Sequence, residues 1–222
     1  MSIYNPILSN YNIILYYAII LLSEQVIPMK LIYKGKYTSE ADLPVREHPR
    51  GYVPFRELED MKKLGLILNL ASIPLFILTM AGLALRGAPY FGEHPLGVTV
   101  GAALSLLVLF PHELLHAICF RGEVELWTNF KMGMLFVVGT EDMTKTRFVF
   151  LSLLPNLVFG LIPYVLFLLH PQWLLLGAFG AISFPMGIGD YYNVFNCLTQ
   201  VPKGGLVYMS GMHSYWYLPE EG

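Results

Sequence analysis

The amino-acid sequence predicts an α-helical polytopic membrane protein with four main transmembrane helices and small cytoplasmic β-hairpin elements. Three observations carry that prediction. The 222 residues are 55% hydrophobic and 14% charged, with a mean hydropathy of +0.54, whereas soluble domains carry roughly 25% charged residues. The apolar residues gather in four blocks, 65–85, 96–120, 148–169 and 174–198, each long enough to cross a hydrocarbon core about 30 Å thick. None of the four contains Lys or Arg, and the basic residues outside them are unevenly shared. Thirteen lie before the first block, in the 121–147 connection or in the tail; the alternate connections hold only Arg86. The positive-inside rule puts the thirteen on the cytoplasmic side, which requires an even number of spans between residues 30–63 and the tail. Four spans satisfy it.

Residues 1–29 form an apolar N-terminal extension. Its stretch 12–22 is short for a span and lacks the basic n-region and cleavage site of a signal peptide. A fifth span, an interfacial helix and an upstream extension ahead of a start at Met29 all remain open. Residues 30–64 read as a cytoplasmic segment with a short strand at Leu31-Ile32-Tyr33, prolines at 44, 49 and 54 that forbid a long helix, and a helix start in 57–63. A membrane domain follows over 65–198. Within it, residues 124–127 and 132–138 predict a cytoplasmic hairpin in the 121–147 connection. The tail, 199–222, holds a second candidate hairpin at 206–209 and 215–218.

Several function classes drop out. The formal net charge of −2 comes with no basic stripe or aromatic RNA-binding motif, so no nucleic-acid partner is expected. The two cysteines, Cys119 and Cys197, sit in different blocks and read as buried reduced thiols rather than a disulfide framework.

The second block ends in Pro111-His112-Glu113-Leu114-Leu115-His116-Ala117. On a helix, His112 and His116 project from one face a turn apart. Two imidazoles so spaced bind one Zn²⁺, with Glu113 placed to reach a water on the metal. Ionisable groups are costly in a bilayer, and the four blocks hold only His112, Glu113, His116 and Asp190 as Asp, Glu or His. Counted from the cytoplasmic ends of their spans, the histidines and Asp190 lie about 6–12 Å deep, and Pro155-Asn156 reaches a similar depth. Asp190, after Pro185 and Gly187-Ile188-Gly189, is read as the third zinc ligand; the other role open to it is orienting a ligand histidine. Glu113 is the expected general base, and Asn156 a candidate oxyanion donor, although a buried Asn also stitches helices together. Asn193, on the face of Asp190, is a further candidate for support. His48, His94, His170 and His213 fall outside the spans and are expected to be solvated or interfacial.

These residues carry a family resemblance. His112–Ala117 at the end of a span, a cytoplasmic hairpin and a late Asp in a Gly-rich span resemble the site-2-protease class of intramembrane metalloproteases. Closer still is the similarity to a family of small bacterial membrane proteins described as "putative zincin peptidase". It runs from Met29 to Tyr217 and includes Lys34-Gly35-Lys36, the helix entering over 61–70, and Gly189-Asp190. The resemblance implies zinc peptidase chemistry in a bacterial cytoplasmic membrane, with His112, His116 and Asp190 as ligands and Glu113 as base. Two features depart from the site-2 pattern. The aspartate stands in Gly189-Asp190-Tyr191-Tyr192 rather than Asn-Pro-Asp-Gly, and no PDZ-like insertion is present.

The expected activity is therefore that of a multi-pass intramembrane zinc endopeptidase of HExxH type, with its site near the cytoplasmic face. It would act on membrane-embedded or membrane-adjacent polypeptides. The competing readings are a non-catalytic metal-binding scaffold and a transporter with an intramembrane metal site. Substrate identity and oligomeric state are not encoded in any motif.

Overall fold

The computed structural model describes residues 29–58, 60–129 and 134–220. The expectations for the N-terminal extension fall outside them. The described chain is mostly helical. It has two helices long and apolar enough to cross a membrane, or up to four if each of two bent helix pairs counts as one span.

Helix α1, Met61–Gly87, begins where Asp60 caps it, its carboxylate accepting from the backbone N–H groups of Lys62 and Lys63 at 3.0 and 3.1 Å. Beyond the cap it is apolar on nearly every face. Leu66, Ile67, Leu70, Ile73, Phe76, Ile77 and Leu78 are all exposed, a surface suited to lipid rather than water. Its inner face is tied by Thr79, whose hydroxyl donates to the Ala181 carbonyl at 2.7 Å and whose own carbonyl accepts from Tyr164. The Ala181 oxygen is free for this because Pro185, four residues on, has no N–H to donate.

The second apolar block, expected as one continuous span, is broken, and the fourth is broken within its 185–189 stretch. Helices α2, Pro95–Leu107, and α3, Leu109–Ala117, meet at a 49° bend. Pro111 can make no bond to the Leu107 carbonyl and crowds it, so the helix gives way at Val108. The third apolar block runs without a comparable break over Lys145–Leu169. It comprises α4, Lys145–Pro155, a π turn, Asn156–Leu161, and α5, Ile162–Leu169. Helices α6, Leu174–Met186, and α7, Ile188–Gln200, meet at a 50° bend, where Pro185 and two glycines loosen the backbone. Helix α6 is the most enclosed, and small residues let its neighbours approach it. A Cβ on Gly101 would collide with the Leu175 carbonyl, and one on Gly180 with the Tyr164 amide and the Gly160 carbonyl.

Two small sheets cap one end of the helices. Strands β1, Lys30–Lys36, β3, Glu123–Asn129, and β4, Met134–Val138, make a sheet in the order β1-β3-β4. Here β1 runs parallel to β3, and β4 antiparallel to it. The second sheet has the order β2-β7-β6-β5 and is antiparallel. Its strands are β2, Val53–Pro54, β5, Met143–Thr144, β6, Leu206–Ser210, and β7, His213–Tyr217. The β6–β7 connection is Gly211-Met212, with Gly211 at φ +62°, a conformation that favours glycine. A core of Phe55, Phe120, Val124, Met143, Phe148, Leu151, Val201 and Val207 fastens both sheets to the inner ends of α3, α4 and α7. That junction is where the bent helices converge.

Candidate metal centre

Each bend aims a polar turn at the same point. Immediately after the Val108 bend, α3 carries His112, Glu113 and His116; immediately after the Gly187 bend, α7 carries Asp190 in its first turn. His112 Nε2 lies 3.1 Å from His116 Nε2 and 3.1 Å from Asp190 Oδ2, while His116 Nε2 lies 3.3 Å from Asp190 Oδ1. Their side chains retain only 19%, 9% and 15% of their exposure. His112, Glu113 and His116 each offer a donor atom within 4.8 Å of the others, a group that could hold a metal ion. The Asp190 carboxylate is nearer still to both imidazoles.

The donor set fits zinc. His116 Nδ1 is 2.9 Å from the Leu151 carbonyl; a carbonyl only accepts, so Nδ1 carries the proton and, in the neutral ring, Nε2 presents a lone pair. That nitrogen, His112 Nε2 and the Asp190 oxygens then crowd one point with electron pairs, which repel unless a proton or a cation lies among them. Three ligands about 2.0–2.1 Å from a tetrahedral zinc stand roughly 3.3 Å from one another, and the spacing here is 3.1–3.3 Å.

Asn156, 3% exposed, comes from the π turn of the third apolar block. Its amide nitrogen donates to Asp190 Oδ2 at 2.7 Å and to the Ser152 carbonyl at 3.2 Å. Both N–H groups are thereby engaged, and the atom left over, Oδ1, is an acceptor. As arranged, the Asn156 amide supports Asp190, and donation to an oxyanion would require it to leave one of these two acceptors. Close backbone approach at Gly187 makes room for this side chain, because a Cβ there would overlap the Asn156 carboxamide.

Glu113 accepts from the Val137 N–H at 3.2 Å, which fixes it against the edge of β4. It faces a cavity of about 340 Å³ that also touches His116, Asp190 and Asn193 and is walled by Leu64, Leu68, Phe136 and Phe148. A smaller cavity of about 190 Å³ reaches His112, Glu113 and Asp190 from between the two bends. The larger cavity extends to His213 and Glu57, neither of which the motif pattern singled out as part of the site. Of the other histidines, His48 accepts or donates at 2.9 Å to the Tyr208 hydroxyl, and His170 packs against Trp173.

Fold and site together define a helical, strongly apolar protein with an HExxH-compatible group able to hold a metal ion. Residues 105–206 match the model of a family described as "Putative zincin peptidase". The match supports a zincin-like metallopeptidase, and it spans His112, Glu113, His116, Asn156 and Asp190 while leaving out α1 and most of the β6–β7 hairpin. No curated protein and no solved structure matches the chain.

Proposed function

We propose that this chain is an intramembrane zinc metallopeptidase that hydrolyses peptide bonds of membrane-embedded or membrane-adjacent polypeptides. The observation that supports it most is the approach of His112, His116 and Asp190 to within 3.1–3.3 Å of one another, beside Glu113 and an apolar cavity. In this reading the two imidazoles and Asp190 hold the ion. Bound there, zinc would supply Lewis-acid polarisation of the scissile carbonyl and activation of water.

The chain's own residues carry the rest. Leu151 fixes the His116 tautomer, and Asn156 holds Asp190 in place. Glu113 takes a proton from water at a carboxylate oxygen and returns it to the leaving amine. The apolar walls of the cavity admit a hydrophobic peptide segment and exclude bulk water. Charge distribution favours a cytoplasmic position for the sheets, so the site would lie near that face.

The test is Glu113→Gln, measured for bound zinc and for membrane peptides that accumulate when cleavage stops. Full zinc content with cleavage reduced at least about 100-fold is expected, since general base catalysis contributes on that order. A protein that binds zinc but whose cellular peptides are unaltered by the substitution would be a metal-binding scaffold or a transporter.

A further inference from the structure

We infer that Glu57 forms a subsite for a cationic side chain of the substrate, a lysine or arginine lying beside the hydrophobic segment to be cut. The inference rests on the peptidase reading above and extends it to substrate choice.

Glu57 lines the same cavity as Glu113, His116 and Asp190, at the end closed by the β6–β7 hairpin. Much of the lining is apolar: it includes Leu64 and Leu68, one turn apart on α1, together with Phe136 and Met209. No Lys or Arg contributes to the lining among the described residues. Arg56, Lys62 and Lys63, the basic residues nearest in sequence, are exposed. The Glu57 side chain retains 13% of its exposure, and among the described residues the ion-pair partner beside it is His213, at 3.7 Å and 36% exposed. Ser214 and His213 lie close enough to draw its carboxyl part of the way back toward the ordinary range. Its backbone is fixed, because Phe55 N–H donates to the Ser214 carbonyl at 2.9 Å and thereby extends the β2–β7 pairing.

A carboxylate in such a place is under-compensated. Burial pushes its carboxyl up from the ordinary range, against the opposing pull of His213 and Ser214. A cation entering the cavity relieves that cost, which a neutral side chain does not. The arrangement also matches the chemistry of membrane segments, whose cytoplasmic flanks carry Lys and Arg. An apolar stretch across Leu64, Leu68 and Phe136 with a basic residue at Glu57 would place one defined bond near Glu113. Glu57 and His213 both lie outside the stretch matched by the family model, so this preference belongs to the cap rather than to the hydrolytic core.

The experiment uses the full chain in detergent with Glu113→Gln, so that peptides bind without being cut. Fluorescent 14-residue Leu/Ala/Ser peptides, N-acetylated and carrying a single Lys walked through each position, are compared with the same set carrying Gln. Binding is read by anisotropy and zinc content is measured in parallel. At one or two adjacent positions Lys should bind about tenfold more tightly than Gln, as a close charge pair in a desolvated setting allows. Adding Glu57→Gln should remove the preference while leaving zinc content and the affinity of the Gln peptides unchanged. Unacetylated Gln peptides form a further arm: a preference seen only with them would assign Glu57 to the free amino terminus and overturn the side-chain proposal. Equal binding of Lys and Gln peptides, no binding of any peptide, or a Lys preference that survives Glu57→Gln would overturn it as well. Zinc content and the cleavage assay report separately on the peptidase reading, so loss of metal and loss of charge preference are distinct results.

Discussion

His116 Nδ1 lies 2.9 Å from the Leu151 carbonyl oxygen, and that oxygen is available because Pro155, four residues further along the helix, has no N–H to offer it. A proline in one apolar helix thus sets the tautomer of a histidine on another. The relationship predicts that Pro155→Ala will weaken zinc binding although Pro155 offers no donor atom to a metal. The new amide competes for Leu151, and the imidazole loses its fixed orientation. A fall of about 10–100-fold in zinc affinity, the range for lost orienting partners, should appear in competition with a chelator. Unchanged affinity would mean that the Leu151 contact is incidental.

Asn156 separates two roles by which constant moves. As a support for Asp190, its replacement by Ala removes the 2.7 Å hydrogen bond to Oδ2 and should lower zinc affinity by about 10–100-fold. Once zinc is saturating, the cleavage rate should largely recover. As an oxyanion donor it would instead leave affinity alone and lower kcat by about 100-fold or more. Zinc titration of the cleavage rate distinguishes the two.

Gly187 yields a sharper version of the same argument. An added methyl would overlap the Asn156 carboxamide, and Asn156, enclosed between helices, has little room to yield. Gly187→Ala should cost about 1–3 kcal/mol, as overpacking does, and displace Asn156 from Asp190. Gly189→Ala, two residues away and facing open space, should leave both stability and zinc binding near those of the parent. Thermal unfolding and chelator competition on the pair check this.

How much of this was legible in the sequence follows from range. The apolar blocks, the His112–His116 spacing and the strands near Leu31, Val124 and Leu206 are local patterns, and each appears in the structure close to where it was expected. A shared depth for His112, His116, Asn156 and Asp190 was an expectation from helix rise counted from the ends that the charges assign to the cytoplasm; the structure brings the four side chains together. The bends were only half visible: Pro111 and Pro185 marked them, but hydropathy read straight through Val108 and Gly187. The parallel pairing of β1 with β3 joins segments about ninety residues apart, and no local signal specifies such a partner. The reach of Glu57 into the cavity depends on a different distant element, the β6–β7 hairpin. The Leu151–Pro155 spacing, by contrast, was a usable signal for a free carbonyl in an apolar helix.

The ionisation of Glu57 has a signature in stability as well as in binding. Its folded-state pKa is raised above the ordinary carboxylate value, chiefly by burial. The native state therefore holds the proton more tightly than the unfolded chain does, so the stabilisation is fully present below about pH 4.5 and is lost as pH rises through the folded value. Glu57→Gln carries no charge at any pH and escapes that loss. It should melt about 1–3 °C higher than the parent at pH 7–8, a shift typical of a small stability change, and the gap should close toward pH 4.5. Both proteins are to be unfolded with zinc chelated, so that titration of the site histidines is common to the two and cancels in the difference. A parent that melts higher than the Gln variant at neutral pH would show that Glu57 is already compensated in the free protein, and that a substrate cation has nothing there to relieve.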